Sequence, residues 1–264
     1  MIRHSLFLTA ALGVLAGALG GMMGVGGGIV LVPLLVHVMR KAQHEAQGLS
    51  LIFVVATAAV AVLPYLREGR IDWRLAAILT SGALPGVILG ARTARRIPAL
   101  GLRKLFGIAV LLTAVRLLVA PPEVGALPAA WPWPADVTLG LGVGYLAGLL
   151  GVGGGTVLVP ALVLAQGMPQ HLAQGVSLLL IVPVGIVGAA TYARSGSLDT
   201  RLLPGLLAGG ALGGLVGALC AQAIAGPTLS RMFAVFLLVV SLQMILGRPR
   251  SRGEWSREPI SGGS

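Results

Sequence analysis

Long apolar runs separated by short polar knots dominate the chain. A bilayer core of about 30 Å takes about 20 helical residues. Apolar segments lie near 5–23, 27–39, 46–66, 73–94 and 103–120, and again near 136–150, 154–167, 172–193, 200–224 and 229–246. The second segment of each set is short and holds a proline, Pro33 or Pro160. This pattern predicts an all-α polytopic membrane protein of two tandem five-segment units, with about 8–10 membrane segments. The units occupy 1–120 and 135–247; a polar tail, 248–264, follows. The stretch between them, 121–134, is too rich in proline for a helix interior. It is expected to be a linker, with Trp131 and Trp133 as interface anchors.

The two sets are copies. An offset of 127 residues lays Leu12–Leu118 on Leu139–Ile245 without a gap, and roughly 40 of about 110 positions are identical. GMMGVGGGIVLVPLLV (Gly21–Val36) matches GLLGVGGGTVLVPALV (Gly148–Val163). HEAQGLSL (His44–Leu51) matches HLAQGVSL (His171–Leu178), and YLREGRIDWRL (Tyr65–Leu75) matches YARSGSLDTRL (Tyr192–Leu202). The first apolar run resembles a secretory signal. Its counterpart in 139–147 makes it part of the repeated unit, so it is expected to be retained.

Two topologies fit. If GVGGG only breaks a helix, each unit crosses an even number of times and the copies are parallel. If the chain turns back there, spanning or re-entrant, each unit crosses an odd number of times and the copies are inverted. Lys and Arg accumulate in cytoplasmic loops. Inversion gathers Arg3, Arg40, Lys41, Arg92, Arg95, Arg96, Arg103, Lys104, Arg194, Arg201 and the tail residues Arg248, Arg250, Arg252 and Arg257 on one side, 14 of the 19 basic residues. Arg67, Arg70, Arg74, Arg116 and Arg231 fall on the other. The parallel arrangement splits them 8 to 11. Charge therefore favours inverted repeats in a bacterial inner membrane, with both termini cytoplasmic.

Composition agrees with a chain whose one constant partner is the lipid bilayer. Mean hydropathy is +0.94 and 10% of residues are charged, too few to cover a soluble domain. The 40 glycines suit close-packed membrane helices. A net charge of +11 on a soluble protein would suggest nucleic acid. Here the basic residues form short clusters between apolar runs, so no nucleic-acid partner is expected. The single cysteine, Cys220, excludes an intrachain disulfide or a CxxC metal site. It is expected to be a packing residue, and neither a metal nor another cofactor is expected. Nothing in the composition bears on oligomeric state.

The doubled GVGGG is the strongest chemical signal. Irregular backbone at membrane depth is tolerated only where protein buries it or where it lines a wet cavity. A helix starting after the glycines presents free N–H groups and the positive end of its dipole. Gly26, Gly27 and Gly28 with Gly153, Gly154 and Gly155 are therefore candidate backbone donors to a small anion between the two units. The alternative is close helix packing alone. GxG runs also occur in nucleotide sites, but neither a preceding strand nor a Walker lysine is present. His44, Gln47 and Ser50 repeat as His171, Gln174 and Ser177, at spacings that share one helix face. Gln47, Ser50, Gln174 and Ser177 are candidate side-chain donors, with interhelical hydrogen bonding as the other reading. The two histidines are better read as interfacial or capping residues, or as interhelical hydrogen-bonding residues.

Acidic residues speak by their places. Glu45, Glu68, Asp72, Glu123, Asp136 and Asp199 sit at segment ends or between segments. No buried carboxylate of the kind that cation pumps use is expected. Asp72 and Asp199 are expected to cap helices or to pair with neighbouring arginines. There is no GxSxG, no HExxH and no pair of intramembrane aspartates, so no catalytic residue is assigned and an enzyme is not expected.

The paired glycine motifs with their short proline-containing helices, and the paired AQG-[LV]-S segments, resemble the TauE/SafE family of sulfite and sulfonate exporters. The resemblance runs to about residue 247. Leu49-Ser50 and Val176-Ser177 stand where many members carry Thr-Ser, so no threonine ligand is carried over. The resemblance implies a transporter of sulfur oxyanions, sulfonates or related small organic anions. A carboxylate permease is the nearest alternative, and a non-transporting membrane partner is the alternative of another class.

Overall fold

The computed structural model describes residues 2–94, 99–119, 131–194 and 200–246. Arg95, Arg96, Glu123, Asp199, most of the linker and the tail lie outside the described residues. Within them the chain is all-helical: α1 (Ile2–Met23), α2 (Gly28–His37), α3 (Gln43–Arg67), α4 (Trp73–Thr93), α5 (Ala99–Val119), α6 (Trp133–Leu150), α7 (Gly155–Ala165), α8 (Gln170–Ala193), α9 (Leu203–Ala223) and α10 (Gly226–Leu246). A short 3-10 turn, Thr200–Leu202, leads into α9. Six helices among the described residues are long and apolar enough to cross a membrane, and α2 and α7 are shorter apolar helices. Leu112, Ile186, Leu212, Val216 and Val239 point outward. Such side chains suit acyl chains and would be a liability in water.

Glycine decides which helices touch. Gly13, Gly17 and Gly21 of α1 lie against Leu206, Gly210 and Gly214 of α9 in turn. A Cβ on Gly17 would sit 2.5 Å from the Gly210 carbonyl oxygen. One offset away, Gly82, Gly86 and Gly90 of α4 interleave with Gly140, Gly144 and Gly148 of α6. Both registers advance together, so α1 runs parallel to α9, and α4 to α6. Small residues at every fourth position let the backbones approach without a solvent-driven force. Each first helix thus packs on the other unit's fourth.

Helices α3 and α8 form the seam between the units. Tyr65 near the end of α3 meets Gln174 near the start of α8, and Tyr192 near the end of α8 meets Gln47 near the start of α3. These two helices, one offset apart, run antiparallel. The start of α9 lies beside the first turns of α1, and the last turn of α10 lies beside Gly107 in α5. Both ends of the described chain therefore lie on one face.

The structure decides one open alternative and changes three other expectations. The chain does turn back at GVGGG rather than continuing as one helix: a Cβ on Gly27 would overlap the carbonyl of Ala16, and Gly154 lies against Val143 and Ala147. The linker stops at Pro132; Trp133 and Pro134 form the first turn of α6, where proline lacks only an N–H that would go unpaired anyway. Cys220 is exposed on α9 rather than packed. Asp136 is buried, and its Oδ1 accepts from Gln166 Nε2 at 2.8 Å, tying the start of α6 to the end of α7. The expectation of no buried carboxylate fails there, because the α6–α7 hairpin covers that helix start. Asp72 caps α4 as expected, accepting from the Leu75 N–H at 2.9 Å.

Candidate functional site

The GVGGG turns work through left-handed backbone. Gly26 and Gly27 have φ of 73° and 83°, and Gly153 and Gly154 have 85° and 82°. Glycine adopts these angles at no steric cost. The amides of Val25 and Gly26 both donate to the Gly20 carbonyl, closing the end of α1. Regular bonding resumes with Val30 N–H to Gly27 O and Val157 N–H to Gly154 O, each at 3.1 Å. The amides of Gly28, Ile29, Gly155 and Thr156 are thus those that a helix start leaves without an intrahelical acceptor.

The two turns meet at the centre of the molecule. A Cβ on Gly28 would sit 2.9 Å from the Val152 carbonyl oxygen, and one on Gly155 would sit 2.7 Å from the Val25 Cα. Val54 and Ile181, equivalent residues of α3 and α8, each flank both Gly26 and Gly153. All six candidate glycines are buried. The fold brings the two sets of candidate glycines together; the direct contact between the turns was not visible in the sequence.

The candidate side chains form a matched pair of clamps. Gln47 Nε2 donates to Leu149 O and Gln174 Nε2 donates to Met22 O, both at 3.2 Å. Each therefore holds the last turn of the other unit's first helix. The Tyr65 hydroxyl donates to Gln174 Oε1 at 2.9 Å. The Tyr192 hydroxyl lies 3.3 Å from Gln47 Oε1 and 2.9 Å from Gly148 O. Ser177 Oγ donates to Gly24 O at 2.8 Å, and Ser50 Oγ reaches Gly28 O at 3.4 Å. All four candidate donors bind backbone at the glycine turns, as interhelical hydrogen bonds would. His44 is exposed, and half-buried His171 approaches Ala221 O at 3.1 Å through Nε2.

Three features carry no role in the sequence reading. Tyr65 and Tyr192 orient the glutamines; their recurrence at the same offset as Gln47 and Gln174 was the available signal. Thr156 stands at the start of α7 where the other unit has Ile29. Its hydroxyl is buried without a hydrogen-bond partner. With Thr113, Val157, Pro160 and Leu164 it lines a cavity of about 260 Å³ between α5 and α7. Arg70, read only as a topology signal, reaches across to Gln222 of the other unit. Among the described residues, no group of three or more His, Cys, Asp or Glu side chains could hold a metal ion.

An interlaced helical bundle with two glycine turns meeting inside it is a membrane-protein architecture, and comparison with known proteins specifies it. The model of the family "Sulfite exporter TauE/SafE" matches residues 9–244. The chain belongs to this family of membrane transporters. It is 26% identical to the probable membrane transporter protein YunE of Bacillus subtilis, over 91% of this chain and 97% of that one. A probable membrane transporter protein of Xylella fastidiosa is 29% identical over 93% of this chain and 97% of its own. One of Haemophilus influenzae is 29% identical over 91% and 98%.

Proposed function

We propose that this protein is a secondary transporter or facilitator that moves a small anion, a sulfur oxyanion, sulfonate or related organic anion, across the inner membrane. The observation that carries the reading is the meeting of two left-handed glycine turns at the buried starts of α2 and α7. Helix starts offer N–H groups and a positive dipole end to an anion. Antiparallel α3 and α8 support two inverted copies, 1–120 and 135–247, and the arginine distribution supports cytoplasmic termini. Inverted repeats with broken helices at the midplane are the arrangement in which one unit rocks against the other around a central site. Separating the turns would free their amides and the Gln and Ser donors that now bind them.

Flux into proteoliposomes tests this. Gly154→Ala places a methyl 3.0 Å from Val143, with a left-handed strain of about 1–2 kcal/mol. The variant is expected to reach the membrane and to lose anion flux. Wild-type flux in Gly154→Ala would remove the glycine turns from the site. Absence of flux for sulfite, methanesulfonate, sulfate and lactate in the wild type would favour the packing-only reading.

A further inference from the structure

We propose that Arg70, fixed by Gln222 beside His171, is an anion-docking site at one mouth of the α3–α8 seam, for a small oxyanion presenting two acceptor oxygens to the guanidinium. The proposal rests on the reading that the cargo is an anion, and it adds a position, a chemistry and a side.

The geometry is built rather than incidental. After α3 the chain makes a tight reversal: Gly69 has φ 64° and the Arg70 N–H donates to Tyr65 O at 2.9 Å. The Arg70 carbonyl then rests on Gly175 of α8, where any Cβ would overlap it. That contact sets Arg70 beside Gln174, one turn from His171. From α9, Gln222 Oε1 accepts from Arg70 Nη1 at 2.6 Å. The His171 ring meets the carbonyl of Ala221, the residue before Gln222. Groups from both units thus converge, next to the Tyr65–Gln174 clamp that holds the end of α1.

Among the described residues no carboxylate pairs with this cluster. Arg70 is half-buried, and among the described residues the one ion pair is Lys41–Glu45, on other elements. Two carboxylates lie two residues away in sequence: Asp72 caps α4 through the Leu75 N–H, and Glu68 is exposed and forms no ion pair with Arg70. Gln222 Nε2 is buried and donates to nothing. A guanidinium carries five N–H donors in a rigid fork, and its charge-assisted bonds to oxyanions are the strong ones. A partly desolvated cation without a carboxylate, next to an unpaired amide donor, is matched in charge and in donors by an oxyanion. In sequence the pair is not repeated residue for residue. One offset away, Ser197 replaces Arg70 and Arg95 replaces Gln222, both outside the described residues.

The test is thermal unfolding of the purified full-length protein in detergent, titrated with potassium methanesulfonate against potassium chloride at matched ionic strength. The wild type is expected to show a saturable rise in Tm. Arg70→Gln should weaken the apparent affinity about tenfold or more. Gln222→Glu supplies an internal carboxylate, keeps the hydrogen bond, and should abolish the rise while raising Tm without ligand. This second variant keeps the test decisive if Arg70→Gln folds poorly. Arg74→Gln, at an exposed position on α4, should leave the rise intact. A wild-type rise in Gln222→Glu, or no saturable rise in the wild type, overturns the site. Flux measured in parallel separates the two readings. An Arg70-dependent rise without flux of any anion keeps the docking site and removes transport. Flux with no Arg70-dependent rise does the reverse.

Discussion

The tyrosine–glutamine clamps are single side chains with two jobs, holding a helix end and closing a seam. Tyr65→Phe removes a buried donor and leaves Gln174 Oε1 unpaired. It should lower stability by about 1 kcal/mol in thermal or denaturant unfolding. Tyr192→Phe should disturb its glutamine less, because the Tyr192 hydroxyl is shared with Gly148 O at the shorter distance. Thr156 gives a cleaner separation of stability from function. Its hydroxyl has no partner, so isosteric Thr156→Val should raise stability by about 1 kcal/mol. If the start of α7 holds the cargo, the same change should reduce flux. A gain in Tm with unchanged flux would make that hydroxyl a bystander. The glutamines and serines were legible as a shared helix face, but their partners were not. Spacing shows which way a side chain points on its own helix, and three of the four carbonyls they bind lie 102 to 153 residues away, Ser50 alone binding the adjacent helix.

Among elements, the contrast between glycines is informative. Gly17 faces the α9 backbone, whereas Gly142 of α6 has nothing within 4 Å of an added Cβ. Gly17→Val should cost about 1–3 kcal/mol through overpacking. Gly142→Ala should stabilise by about 0.5–1 kcal/mol through a smaller unfolded-state entropy. Unfolding in detergent against urea or heat reads both, and equal effects would mean that the α1–α9 approach is not as close as described. Helix positions were legible in the sequence, because apolar runs at bilayer length admit one secondary structure. The short proline-containing runs after GVGGG were legible as separate segments from the glycines that precede each of them. Which helix touches which was not. In a membrane every helix is apolar all round, so hydropathy marks no inner face, and the glycine stripe of α9 names no partner by itself. The burial of Asp136 was hidden in the same way: a residue at a segment end is exposed or covered according to where the neighbouring hairpin lies.

At the scale of the whole molecule, the charge distribution and the helix directions make one joint statement. A reporter fused after Arg250 should score cytoplasmic, and a cysteine introduced at exposed Arg67 should react with an impermeant thiol reagent from the other side. The reverse pattern would turn the molecule over and place the Arg70 mouth toward the cytoplasm. The interlacing of α1 with α9 and of α4 with α6 also bears on biogenesis. The glycine stripe of α1 leaves the ribosome first, yet Leu206 and Gly210 emerge almost two hundred residues later, about 10–40 s at ordinary rates of synthesis. Over that interval α1 must stand in lipid or in the insertion machinery without its partner. The two halves, although copies in sequence, cannot mature one after the other like beads; the first half is finished only when the second supplies its missing neighbour.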